Sequence, residues 1–129
     1  KPLIRKLKEQ NIRVSLFVDP KNEEIEAAAN VGADIVELHT GRYSDAKINI
    51  KEKEFTYLLQ AAKIADDLGI EVHAGHGLNF SNAAKIASIN QIKELNIGHF
   101  LIGEAVFSGL GSVIREMRSI INASNKVYR

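Results

Sequence analysis

Three side chains in this sequence of 129 residues combine a reactive type with a telling position: Glu37, His76 and His99. Glu37 interrupts the otherwise apolar run Ile35-Val36-Glu37-Leu38. Side-chain alternation puts it on the face shared by Ile35 and His39, toward a barrel-like interior. A carboxylate persists there only when paired or used, so Glu37 is either the structural partner of a buried base or a group that stabilises charge in a reaction. His76 sits between Gly75 and Gly77, which bare the backbone on both sides. An imidazole is the side chain best suited to give or take a proton at cellular pH; the competing reading is a hydrogen-bonded turn histidine. Gly98-His99 follows a strand and precedes a short helix, the place where many barrels hold phosphate on backbone N–H groups. Glycines after strands also serve ordinary turns, but Gly75, Gly77, Gly98 and Gly103 together favour an anionic substrate.

Weaker candidates surround these. His39, Thr40 and Gly41 either line the same mouth or serve locally, with Thr40 as a cap. Asp19 before Pro20 reads as turn chemistry. His73 has the opposite parity to His76 and is expected to face the helices as a satisfied core residue. Glu52, Lys53, Glu54, Asp66 and Asp67 read as a solvated helix surface. His39, His76 and His99 lack the H-x-x-x-H type of spacing that would argue for a metal, so no metal site is expected.

The elements that must position these residues alternate. Val14–Val18 reads as a buried strand closed by Asp19-Pro20, followed by a helix with Asn22 as N-cap, Glu23 and Glu24 in its first turn, and Ile25, Ala28 and Ala29 on one face before Gly32. A second strand is expected over Asp34–Leu38. The polar segment 40–49 then leads into a helix carrying Phe55, Leu58, Leu59, Ala62 and Ala65 up to Gly69. Ile70–Ala74 is the third strand, 79–88 a short helix capped by Asn79 or Ser81, and Ile92–Ile97 the fourth strand. A Gly-punctuated stretch from Phe100 to Gly111 has room for a short extra helix, and Val113, Ile114, Met117, Ile120 and Ile121 mark a final amphipathic one.

Strands alternating with helices imply a parallel sheet, because parallel neighbours need crossover connections. An open doubly wound sheet would be self-sufficient at this length, whereas a (β/α)8 barrel takes about 250 residues. No G-x-G-x-x-G follows the first strand, which weakens the dinucleotide-binding version of the open sheet. The chain begins Lys1-Pro2-Leu3, and its first ten residues read as the tail of an amphipathic helix, so a preceding segment is expected. The α/β architecture expected is therefore half of a (β/α)8 barrel, about four βα units over residues 1–129.

Bulk properties narrow the function classes. The sequence is 45% hydrophobic and 26% charged, and its 17 basic and 16 acidic residues leave a net charge of +1 spread along the chain. That excludes the electrostatic footprint of a nucleic-acid or anionic membrane partner. With no cysteine there is no disulfide, thiolate metal site or cysteine nucleophile, which fits a cytoplasmic protein. No apolar run approaches the roughly 20 residues needed to span a bilayer.

The segments VSLFVD, VELHTGRYSDAK, VHAGHGLN and ELNIGHFLIGEAV, in this order and spacing, resemble the C-terminal half of the pyridoxine 5′-phosphate synthase family. The resemblance runs from Ile12 to about Ile121, and AGHGL with LNIGH is far more specific than any generic glycine pattern. It implies a TIM barrel of vitamin B6 biosynthesis that condenses 3-amino-2-oxopropyl phosphate with 1-deoxy-D-xylulose 5-phosphate, giving pyridoxine 5′-phosphate, phosphate and water without a cofactor. It further implies that Glu37 stabilises transition states, that His76 donates a proton, and that Gly77, Gly98 and His99 bind the amino-ketone phosphate. A homo-oligomer, an octamer in the family, is implied as well. Glu104 stands where some family members carry a basic residue. The family's other half supplies an Asn-x-Asp-His strand end, another catalytic histidine and a second catalytic glutamate, so this chain alone is expected to be inactive. Two other readings are a different phosphate-binding barrel, such as a sugar-phosphate synthase or isomerase, and a non-catalytic half-barrel that pairs with a copy of itself or a partner chain.

Overall fold

The structure is a computed structural model and describes residues 1–127. Helix α1 (Pro2–Glu9) leads into strand β1 (Ser15–Val18), helix α2 (Asn22–Val31) and strand β2 (Ile35–His39). Helices α3 (Gly41–Asp45) and α4 (Ile48–Asp67) precede strand β3 (Glu71–Gly75), the short helix α5 (Ala83–Ala87) and strand β4 (Ile92–Asn96). Helices α6 (His99–Ser108) and α7 (Leu110–Val127) follow.

The four strands form one parallel sheet in the order β1-β2-β3-β4. A doubly wound sheet reverses its strand order partway, and this sheet does not. Right-handed crossovers that always step the same way keep their helices on one face, the arrangement of half a (β/α)8 barrel. Ile25 and Ala28 of α2, Leu58, Ala62 and Ala65 of α4, and Ile86 of α5 pack on Val36, Leu38, Val72 and Ala74. The opposite face is uncovered: Phe17, in mid-strand, remains 52% exposed. β1 and β4 are sheet edges among the described residues, and unpaired edges of this kind are templates for further pairing.

All four expected strands are present, each within one or two residues of the expected bounds, and the helices differ in instructive ways. The residue capping α2 is Lys21 rather than Asn22, and no side chain bonds the orphan N–H groups there. Gly32 ends that helix in the left-handed conformation, at φ 87°. The segment 40–49 is not merely polar connection: it forms α3 and the first turn of α4. Only Ala83–Ala87 of the 79–88 stretch is α-helical, because Asn79 and Asn82 build a turn of their own. The Asn79 carboxamide oxygen accepts from the Ser81 N–H at 2.9 Å, and the Asn82 oxygen accepts from the Asn79 N–H at 2.8 Å. Leu59 is exposed although Leu58 is buried, and Glu54 turns inward from the α4 surface to meet Arg42 at 3.5 Å. The extra helix α6 is longer than a single turn, at ten residues, and buries none of them.

β4 carries one irregularity with consequences for the site. Val72 pairs with Ile92 but His73 pairs with Glu94, so Lys93 is an extra residue bulged out of the ladder. Without it Leu95 would lie opposite Gly75 and Asn96 would point to the helices. With it Leu95 packs against the core and Asn96 comes opposite Gly75, on the open face.

Candidate active site

The carboxyl ends of the four strands, where parallel α/β folds gather their chemistry, enclose a cleft of about 690 Å³. Its wall includes Glu37, His76, Gly77, Gly98 and His99, whereas the weaker candidates His39, Thr40 and Asp19 lie outside it. Phe17, Leu78, Asn79, Asn96, Ile97 and Phe100 complete it.

Glu37 is half-buried on the open face, in register with Phe17 and His73. Its partner is an amide, not a base: the Asn96 Nδ2 group donates to Glu37 Oε2 at 2.7 Å. A carboxylate only accepts, which fixes the orientation of the Asn96 amide. The other carboxylate oxygen lies over Gly75, at a place where any β-carbon on residue 75 would meet it; the same β-carbon would stand 2.9 Å from the Asn96 carbonyl oxygen. Gly75 is therefore a seat for Glu37, and the register created by the Lys93 bulge brings in its hydrogen-bond donor.

His76 is exposed at the tip of β3 and adopts φ 84°, in the left-handed region that non-glycine residues rarely occupy. Such a conformation costs on the order of 1–3 kcal/mol and persists where surrounding contacts impose it. Those contacts come from the end of β2. Thr40, fully buried, places its hydroxyl 2.7 Å from the Gly75 carbonyl oxygen and 2.6 Å from that of His76, and its N–H donates to the Gly75 carbonyl at 2.8 Å. Gly77 continues the turn at φ 73°, and a β-carbon there would collide with the Ser44 side chain at 2.8 Å.

The His76 ring stacks on His39, with centroids 4.5 Å apart and planes 29° from parallel. Phe17 lies beside both rings, its centroid 4.9 Å from that of His39 and 6.4 Å from that of His76. His39 Nδ1 accepts the Gly41 N–H at 3.1 Å, so in the neutral ring the proton sits on Nε2. His39 does not line the main cleft; with Arg42, Glu54 and His76 it lines a neighbouring hollow of about 390 Å³. His76 thus stands between two cavities.

Gly98 precedes α6, whose first N–H groups have no side-chain cap. A β-carbon on Gly98 would meet nothing within 4 Å, so neither packing nor a positive φ demands glycine there.

The lesser expectations divide. Asp19 is a turn residue, paired with Lys21 at 3.0 Å, which holds its carboxyl below the usual aspartate range. Thr40 occupies the N-cap position of α3 but makes no side-chain cap bond; its hydroxyl reaches the turn after β3 instead. His73 is buried and satisfied as expected, with Nε2 2.8 Å from Glu71 Oε1, but it does not face the helices. It pairs with Glu37 and Glu94 across the open face, beneath the cleft. Parity counted from His76 fails because His76 lies in the turn, beyond the end of the strand. Asn96 and Phe17 were not singled out from the sequence; for Phe17 the signal was its alternation with the core-facing Leu16 and Val18. No group of three or more potential metal ligands forms among the described residues.

Known proteins resemble this chain along most of its length. The family model described as "Pyridoxal phosphate biosynthesis protein PdxJ" matches residues 1–123. A pyridoxine 5'-phosphate synthase of Gluconobacter oxydans is 50% identical over 123 residues, covering 95% of this chain and 51% of that protein. One of Xanthobacter autotrophicus is 53% identical over 126 residues (95% and 49%), and one of Zymomonas mobilis 48% over 124 (96% and 48%). The chain spans about half the length of the curated relatives it matches. On motif, strand order and family match together, the chain belongs to the PdxJ family of pyridoxal phosphate biosynthesis proteins.

Proposed function

We propose that this chain is the C-terminal half of a pyridoxine 5′-phosphate synthase and contributes Glu37, His76 and the Gly98-His99 turn to its active site. The observation that carries the reading is the common cleft: residues drawn from three strand ends, from Glu37 to His99, line one cavity of about 690 Å³ at the end of the sheet where such enzymes work. The substrates are the two phosphorylated small molecules, 3-amino-2-oxopropyl phosphate and 1-deoxy-D-xylulose 5-phosphate.

The condensation joins an amine to a ketone, loses water and phosphate, and closes a ring. Each departing hydroxyl needs a proton, and His76, exposed in the cleft on an imposed turn, is suited to deliver it. Glu37 supplies a fixed negative charge for the cationic iminium-like species that precede aromatisation; its Asn96 bond and Gly75 seat hold that charge in place before the reaction begins. Backbone N–H groups at Gly98, His99 and the start of α6 receive the phosphate of the amino ketone, and the unhindered Gly98 allows it to come close. Anchored phosphates then keep the reacting carbons in register.

The remaining catalytic groups belong to the other half of the barrel, whose strands would pair with the edges of β1 and β4 and cover Phe17. A homo-oligomer fits the uncovered apolar residues of α6, where Ile102, Val106 and Phe107 are 62%, 78% and 88% exposed. No helix among the described residues is long and apolar enough to cross a membrane, and a cytoplasmic location goes with the reading.

Incubating the intact protein with both phosphates should produce pyridoxine 5′-phosphate, followed by its absorbance. His76→Ala is expected to lower kcat by about 10²–10⁴-fold, the range for loss of a general acid, and Glu37→Gln by about 10²–10³-fold, the range for loss of preorganised charge. An intact protein that makes no product, or variants that turn over like the parent, would overturn the assignment.

A further inference from the structure

We infer that Thr40 is a positioning residue for His76: its buried hydroxyl holds the turn after β3 so that the imidazole points into the cleft. The inference rests on the reading of His76 as the proton donor.

The geometry has three parts. First, His76 is in a conformation that its own chemistry disfavours, φ 84°, so something must hold it there. Second, Thr40 is completely buried, and its hydroxyl is within 2.7 Å of the Gly75 carbonyl oxygen and 2.6 Å of the His76 carbonyl oxygen, on both sides of the strained residue. A hydroxyl has one proton, so the two carbonyls share it, and they are drawn toward one point. Third, the neighbouring residues leave room for this conformation and no other support of equal quality. The Ser44 hydroxyl reaches the His76 carbonyl only at 3.4 Å from an exposed position, and the Gly41 backbone sits where a β-carbon would press on His39 and His76.

Nothing about helix capping or core packing requires a hydroxyl at this place. Thr40 stands at the N-cap position of α3 but makes no side-chain cap bond. Its oxygen is spent wholly on the β3 turn. Without it the turn keeps the Thr40 N–H bond to Gly75 but loses its hold on His76, and the residue can relax toward negative φ. That rotation swings the imidazole off its stack with His39 and away from Glu37. Substrate binding at Gly98-His99 lies on another strand end and is untouched.

The test uses the intact enzyme with Thr40→Val, which keeps the shape and removes the hydroxyl, and Thr40→Ser, which keeps the hydroxyl. T40V is expected to lose at least about tenfold in kcat with KM for both phosphates within about twofold of the parent, while T40S keeps kcat within about threefold. In a crystal structure of T40V, His76 should leave the left-handed region and its ring should separate from His39. Parent-like kcat in T40V, equal losses in T40V and T40S, or His76 still near φ 84° in T40V would each overturn the inference. If the intact parent makes no pyridoxine 5′-phosphate, the functional assignment falls, and the T40V structure alone still decides whether Thr40 holds His76. Should T40V fail to give soluble protein, Thr40→Ala is read by the same criteria.

Discussion

Glu37 and His76 are held by different means, and the difference predicts how each will fail. Glu37 is fixed by a donor, Asn96, and by an empty space, the missing side chain of Gly75. Gly75→Ala puts a methyl group where the carboxylate lies, and the nearby Asn96 carbonyl leaves it no room to retreat. Residue 75 itself needs no positive φ, so the backbone tolerates alanine and the carboxylate must move. A displacement near 1 Å at a reacting centre is worth about 10²-fold in rate. G75A in the intact protein should therefore lose about that factor in kcat while its far-ultraviolet circular dichroism stays that of the parent. Unchanged kcat would show that the carboxylate's position is unimportant. Glu37 and His76 were legible in the sequence because a charge inside an apolar strand and a histidine between glycines are anomalies. Gly75 as a seat was not, since a glycine before a histidine says nothing about which side chain from another strand will lie over it.

At the scale of elements, a carboxylate just before β2 ties α1 to the sheet. Asp34, just before β2, accepts the Val14 N–H at 2.9 Å and meets Lys8 of α1 at 2.8 Å. The Lys8 ammonium and the Val14 N–H hold its carboxyl below the usual aspartate range. A group whose pKa is depressed by folding contributes stability that is fully present above its unfolded value, about 4, and is lost as pH falls through the lower folded value. Because Lys8 is largely exposed, the contribution near neutrality is discounted to under about 1 kcal/mol. Urea midpoints of the intact protein and its Asp34→Asn variant should thus differ modestly at pH 7 and converge below about pH 4. A gap that persists unchanged at pH 3 would contradict the account. The strands were readable because their apolar runs are short and bounded. The segment 40–49 was not, because α3 and the start of α4 are held by tertiary contacts, among them buried Tyr43 and the Arg42–Glu54 pair between the two helices, rather than by an apolar period of their own.

At the scale of the whole molecule, sequential parallel strands leave two open edges and a bare face among the described residues, and such edges are templates for pairing with another chain. The 129-residue chain expressed alone should therefore elute from gel filtration above the position of a 14.2 kDa monomer and make no pyridoxine 5′-phosphate. A stable, well-behaved monomer would sink the half-barrel proposal. The matched relatives, about twice as long, are consistent with the same picture.

By itself the sequence determined the alternation of strands and helices, the polar residues at the strand ends, and, through its motifs, the family. Those follow from local signals: apolar period, turn residues and the oddity of polar groups in apolar runs. Three things were decided only in the tertiary structure. The sequential strand order excludes the doubly wound sheet, and order is a property of pairing that no single strand encodes. The bulge at Lys93 turns Asn96 toward Glu37; a slip of one residue reverses every side chain beyond it, and the local sequence carries no mark of the slip. The left-handed turn at His76 is imposed by Thr40 from 36 residues away, because the strain of one residue can be balanced only by contacts that folding brings to it.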